Sequence, residues 1–215
     1  MSNRRAPILL AAWIVLALAG CTTASTPSPT PTFGAAGGPA VPWPAPSNSM
    51  DLARQAGLQP ETSEGLAYHV HAHLDIFLDG KPIEVPAGIG INARDPGVTT
   101  FPEADGTVTI GGIESPCATP CISPLHTHGA HGVLHTESAT PKPNTLGQFF
   151  VEWGVKLGPD CVGEHCAPEQ VAFYVNGAKF AGDPTTIELA DRTEIAIAIG
   201  TPPAVIPSTA DFDAP

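Results

Sequence analysis

The chain of 215 residues predicts an α+β fold: a mainly antiparallel sheet built from hairpins and covered by one main helix. Three observations carry this. Asp79-Gly80 and Asn176-Gly177 each separate two runs of strand-forming residues, and such dipeptides mark two-residue hairpin turns because the turn needs positive φ. Between the hairpins, Leu146, Phe149, Phe150 and Trp153 repeat at helical spacing. Thr193–Ile199 then runs apolar and stops at Gly200, as a buried strand does.

Taken in order, Met50–Ala56 reads as a short helix, with Asn48 or Ser49 as its cap and Gly57 as its stop. His69–Leu78 is a strand, and Lys81–Val85 returns as its hairpin partner. Thr107–Ile110 and Gly132–Thr136 are shorter strands. Asn144 or Thr145 caps the main helix, which Gly154 and Gly158 end. Val171–Val175 and Ala178–Ala181 form the second hairpin, before the last strand. Hairpin, helix, hairpin and strand in that order resemble a β-grasp layout. One domain over 49–206 is long enough for one core, and the Pro-bounded segment 207–215 reads as a flexible tail.

The first residues have the parts of an export signal. Arg4 and Arg5 precede an apolar run from Ala6 to Ala19, shorter than the roughly 20 residues of a membrane span. Leu18-Ala19-Gly20-Cys21 follows and resembles the lipobox of bacterial lipoproteins. The resemblance implies removal of residues 1–20, acylation of Cys21 and a lipid anchor on the outer side of the cell membrane. Each buried acyl methylene contributes about 0.8 kcal/mol to such an anchor. Residues 21–48, rich in Pro, Ser, Thr and Gly, cannot bury enough apolar surface to order themselves and read as a tether.

Export implies an oxidising setting. Besides Cys21 the chain has Cys117, Cys121, Cys161 and Cys166. Four cysteines allow three pairings, of which the local one, Cys117–Cys121 and Cys161–Cys166, is preferred here. Loss of Arg4 and Arg5 takes the net charge from −12 to −14. That excludes nucleic acid, which needs a basic face, and an electrostatic grip on anionic lipids. An acidic surface does concentrate cations.

Seven of the eight histidines lie in two short runs: His69, His71 and His73, then His126, His128, His131 and His135. On a strand, residues 69, 71 and 73 share one face, as do 126 and 128. Two such strands side by side gather imidazoles, the commonest protein ligands for zinc and copper. Glu137, two residues past His135, either ligates or orients a histidine. The expected ligands are therefore His71, His73, His126, His128, His135 and Glu137, with His69 at the strand start and His131 in a Gly-rich turn as further candidates. His165 lies apart, on a loop expected to be exposed. No methionine falls in this region, so a thioether copper(I) site is excluded and copper(II) or zinc is expected. Two other readings use the same residues: a metal enzyme with Glu137 as general base, and a structural or pH-sensing cluster.

Cys117-Ala-Thr-Pro-Cys121 is similar in spacing to copper-delivery proteins of the Sco type, but the βαβ context of that fold is absent around it. A broader pattern comprises His71-Ala-His73-Leu74 before Gly80, Pro86-Ala-Gly-Ile-Gly90, Leu125-His126-Thr127-His128, His135-Thr136-Glu137 and Thr145-Leu146-Gly147-Gln148-Phe149-Phe150. It resembles a group of exported bacterial and archaeal proteins and covers most of 69–157. That group commonly has aspartate after H-T-H, where this chain has Gly129. The resemblance implies a shared domain and brings no settled activity.

Overall fold

The computed structural model describes residues 43–104, 106–113 and 115–212. The export signal, Cys21 and the tether up to residue 42 lie outside the described residues. Among the described residues no helix is long and apolar enough to cross a membrane.

Among the described residues, two α-helices and twelve strands form an α+β fold. Helix α1 is Ser49–Gln55. The strands β1 (Tyr68–Leu78), β2 (Lys81–Ile83), β3 (Val98–Pro102), β4 (Val108–Ile113), β5 (Leu125–His126) and β6 (Val133–Ser138) follow. Helix α2 is Leu146–Trp153. After it come β7 (Leu157–Gly158), β8 (Cys161–Val162), β9 (His165–Cys166), β10 (Val171–Val175), β11 (Ala178–Phe180) and β12 (Thr193–Ile199). The main sheet runs β11-β10-β12-β1-β6-β5, with β2 also on β1. Strand β1 uses one stretch, 76–78, to pair with β2 and another, 68–73, to pair with β6. All pairings are antiparallel except β1 with β12. The last strand thus enters between the two hairpins, parallel to the first.

Helix α2 has the sequence chemistry of its ends. The Gln148 N–H donates to the Thr145 hydroxyl at 3.3 Å and the Thr145 N–H donates to Gln148 Oε1 at 3.0 Å, a reciprocal capping box. Gly154 closes it in the left-handed region at φ 75°. Its Leu146, Phe149, Phe150 and Trp153 pack in one core with Leu74, Ile76, Leu125, Leu134, Ile195 and Ile197. Each such side chain contributes about 1.5–3 kcal/mol by leaving water. Since Leu74 and Ile76 alternate with His73 and Asp75, packing this face against α2 turns the histidines to the other.

The folded region passes both edges of the expected domain. Trp43, placed in the tether, is buried against Trp153 with ring centroids 5.9 Å apart, and its carbonyl accepts from the Trp153 indole N–H at 3.0 Å. Phe212, placed in the loose tail, is also buried, with the Arg192 guanidinium 4.8 Å from its ring centroid. In both cases a large aromatic inside a polar, Pro-rich segment offsets the entropy of ordering it. Both disulfides are the local ones, Cys117–Cys121 and Cys161–Cys166, with Cα atoms 6.2 and 4.1 Å apart.

Candidate metal centre

Register brings the two histidine runs together. Across β1 and β6, His71 faces His135 and His69 faces Glu137. Across β6 and β5, His135 faces His126. Directly paired residues project to the same side of a sheet, so five side chains from three strands meet on the face away from α2. His128, two residues past His126, joins them: its ring centroid is 4.6 Å from that of His135.

The H-T-H segment owes its extended form to its middle residue. Thr127 points the opposite way from the histidines and is fully buried. Its hydroxyl donates to the Pro86 carbonyl at 2.9 Å and accepts from the Ile89 N–H at 3.1 Å. The Gly88 and Thr127 amides bond across the same seam, as does Ser123 to Gly90. Gly90 is needed there: its φ is +76°, and a Cβ would stand 2.3 Å from the Leu125 carbonyl oxygen. The buried Cys117–Cys121 disulfide secures the approach to this seam, with the Cys121 N–H on the Glu61 carbonyl and the Asn92 N–H on that of Cys121.

Backbone carbonyls set the tautomers. A carbonyl oxygen only accepts, so a ring nitrogen facing one carries the proton. His126 Nδ1 donates to Ser123 at 2.9 Å, His128 Nδ1 to Ile110 at 2.5 Å and His71 Nδ1 to Phe212 at 2.6 Å. In its neutral form each ring therefore presents a bare Nε2. The Nε2 atoms of His126 and His128 face each other at 3.1 Å. Two nitrogens bound to one ion at the usual 2.0–2.1 Å stand about 2.9 Å apart at a right angle and about 3.3 Å apart at the tetrahedral angle. The observed spacing lies between those limits. Burial and the neighbouring imidazole of His128 hold His126 well below the ordinary histidine range. Burial, with His128, His71 and His69 around it, lowers His135 to about 2. Both rings are thus neutral at physiological pH, the form that ligates.

Donor atoms fall into groups that can hold an ion. His126, His128, His135 and Glu137 form one, and His69, His71 and His135 form a second, the atoms of each lying within 4.8 Å of one another. Glu137 Oε1 is 3.1 Å from His69 Nε2, 3.5 Å from His135 Nδ1 and 3.8 Å from His126 Nε2. Neither ring nitrogen of His135 has a hydrogen-bond partner among the described residues.

Of the expected ligands, His73 alone is drawn elsewhere. Its Nδ1 is 3.0 Å from Glu194 and 3.9 Å from Asp75, and its Nε2 donates to the His131 carbonyl at 2.7 Å. The parallel pairing of β1 with β12 sets Glu194 opposite it. Burial opposes its protonation, but the nearby carboxylates of Glu194 and Asp75 outweigh that and raise it. These three also form a possible ion-holding group. The His131 side chain is exposed and belongs to none of the groups. His69, a further candidate at the strand start, sits in the cluster proper. His165 is half-buried on β9, 2.9 Å from Glu169 and edge-on to Trp43, rather than on an exposed loop. Glu194 was legible as the one acid in an otherwise apolar strand, and Asp75 as the next same-face residue after His73.

The groove beside His126 and Glu137, bordered by Glu61, Ser63, Glu64 and Ser123, is too narrow for a water-sized sphere. No family profile matches the chain, and neither a curated protein nor a solved structure matches it.

Proposed function

We propose that this protein is an exported, lipid-anchored lipoprotein whose domain binds a divalent transition metal, copper(II) or zinc, for holding or delivery. The single observation behind this is the pair of facing Nε2 atoms of His126 and His128. Each has its proton fixed on the other nitrogen by a backbone carbonyl, so in the neutral form of both rings, the form that ligates, two lone pairs meet at 3.1 Å. A cation between them turns that repulsion into two ligand bonds, with His135 and Glu137 in reach to complete four-fold coordination. Carbonyl-fixed imidazoles are the usual support of metal-bound histidine. The narrow groove beside the cluster favours holding an ion over turning over a substrate there.

The test is direct. The full-length protein, stripped by chelator and then titrated with copper(II) or zinc, takes up metal that survives desalting. His126→Ala with His128→Ala removes the ion held by that pair, lowering the uptake by one ion per chain, while circular dichroism stays unchanged. No retained metal in the folded wild-type protein refutes the proposal. The anchor is tested separately: Cys21→Ala should move the protein from the membrane fraction to the soluble one.

A further inference from the structure

Strand β6 lies between β1 and β5, and His135 is in register with a histidine on each side, His71 on β1 and His126 on β5. Its ring centroid is 4.3 Å from that of His71, 4.6 Å from that of His128 and 5.4 Å from that of His126, on which the His135 ring stacks within 9°. It is the one residue common to both imidazole-rich donor groups. It also differs from its neighbours in its hydrogen bonding. His71, His126 and His128 each commit one nitrogen to a carbonyl and keep one for a ligand. His135 commits neither, although both nitrogens are buried. Even its approach to Glu137, 3.5 Å from Nδ1, makes no hydrogen bond. A buried polar atom with no partner is destabilising, and one bound ion would satisfy only one of the two.

We infer that His135 bridges two metal ions, one through each ring nitrogen: an inner ion shared with His126, His128 and Glu137, and an outer ion shared with His69 and His71. This rests on the metal-binding reading above and adds a second ion to it. The outer donors lie side by side, with His71 protonated on Nδ1 and the Nε2 atoms of His69 and His71 facing each other at 2.7 Å, so the two rings need only spread slightly to share an ion. A neutral imidazole has one lone pair, so the second ion binds only as the remaining N–H proton of His135 leaves for solvent. The bridged state thus holds two divalent cations against one imidazolate and the Glu137 carboxylate, and its formation releases that one proton. The two positions differ in access. The His126 side chain is fully enclosed, whereas that of His69 is 39 % exposed. The outer ion therefore exchanges with solution more readily than the inner one.

Copper(II) is the probe, applied to the stripped full-length protein, with bound metal per chain and electron paramagnetic resonance intensity read together. The expected result is two ions per chain, with far less signal than two isolated copper ions, because an imidazolate bridge pairs their spins antiferromagnetically. Filling one position with zinc first restores the signal of a single copper, which tests the bridge without any substitution. His69→Ala with His71→Ala drops the count to one ion with full intensity. Two ions of full, uncoupled intensity overturn the bridge. So does one ion per chain that the His69/His71 substitutions leave in place, although that outcome keeps the single-ion function. No bound ion overturns both.

Discussion

Behind the histidine cluster lies a buried acid whose ionisation sets a measurable pH dependence. Glu152, on the core side of α2, is fully buried and lies against Ser123, whose carbonyl holds His126. Burial pushes its carboxyl from the ordinary 4.5 up to about 8. The folded protein therefore holds this proton more tightly than the unfolded chain. Between pH 4.5 and about 8 the unfolded state carries fewer protons, so stability falls as pH rises through that window and levels off above it. At pH 7 the chain has crossed about 2.5 units of the window, which corresponds to about 3 kcal/mol lost relative to a neutral isostere. Glu152→Gln supplies that isostere. Urea unfolding of the metal-free, disulfide-intact protein should give matching stabilities for the two proteins at pH 4. At pH 7 the variant should be more stable by about 3 kcal/mol, and at pH 9 by somewhat more. A difference that stays constant from pH 4 to 9 would refute the reasoning, since it would report the packing of the amide rather than a withheld ionisation.

Three further outcomes follow from the same framework. Gly90→Ala places a Cβ 2.3 Å from the Leu125 carbonyl oxygen and 3.0 Å from His126 Cβ, at a φ of +76°; it should destabilise the fold by more than about 1 kcal/mol and weaken metal uptake, both read by metal-dependent thermal melts. Thr127→Val leaves the Pro86 carbonyl and the Ile89 amide without their buried partner, and should cost about 1–3 kcal/mol in chemical denaturation. Phe212→Ala removes the aromatic that docks the C-terminal segment under Arg192; hydrogen exchange of the amides at 207–212 should rise, and copper at the His69/His71 position should be lost more readily to a competing chelator.

Much of this protein is decided within short stretches of sequence. The Asp79-Gly80 and Asn176-Gly177 turns, a helix cap at Asn144 or Thr145 and the two local disulfides were legible because each involves residues a few positions apart. So was the sharing of one face by His69, His71 and His73, which strand alternation alone requires. Which histidines meet was not legible, because register between strands far apart in sequence is fixed only when the whole sheet packs its apolar face against α2. That packing puts His135 between His71 and His126, and it slides β12 in parallel to β1 so that Glu194 takes His73 away from the cluster. It also orders Trp43 and Phe212, whose polar, Pro-rich surroundings read as unstructured until a core exists to receive them. Local chemistry chose the ligand types and their side of the strand; the tertiary fold chose the partners, because only closure of the sheet sets the distances between them.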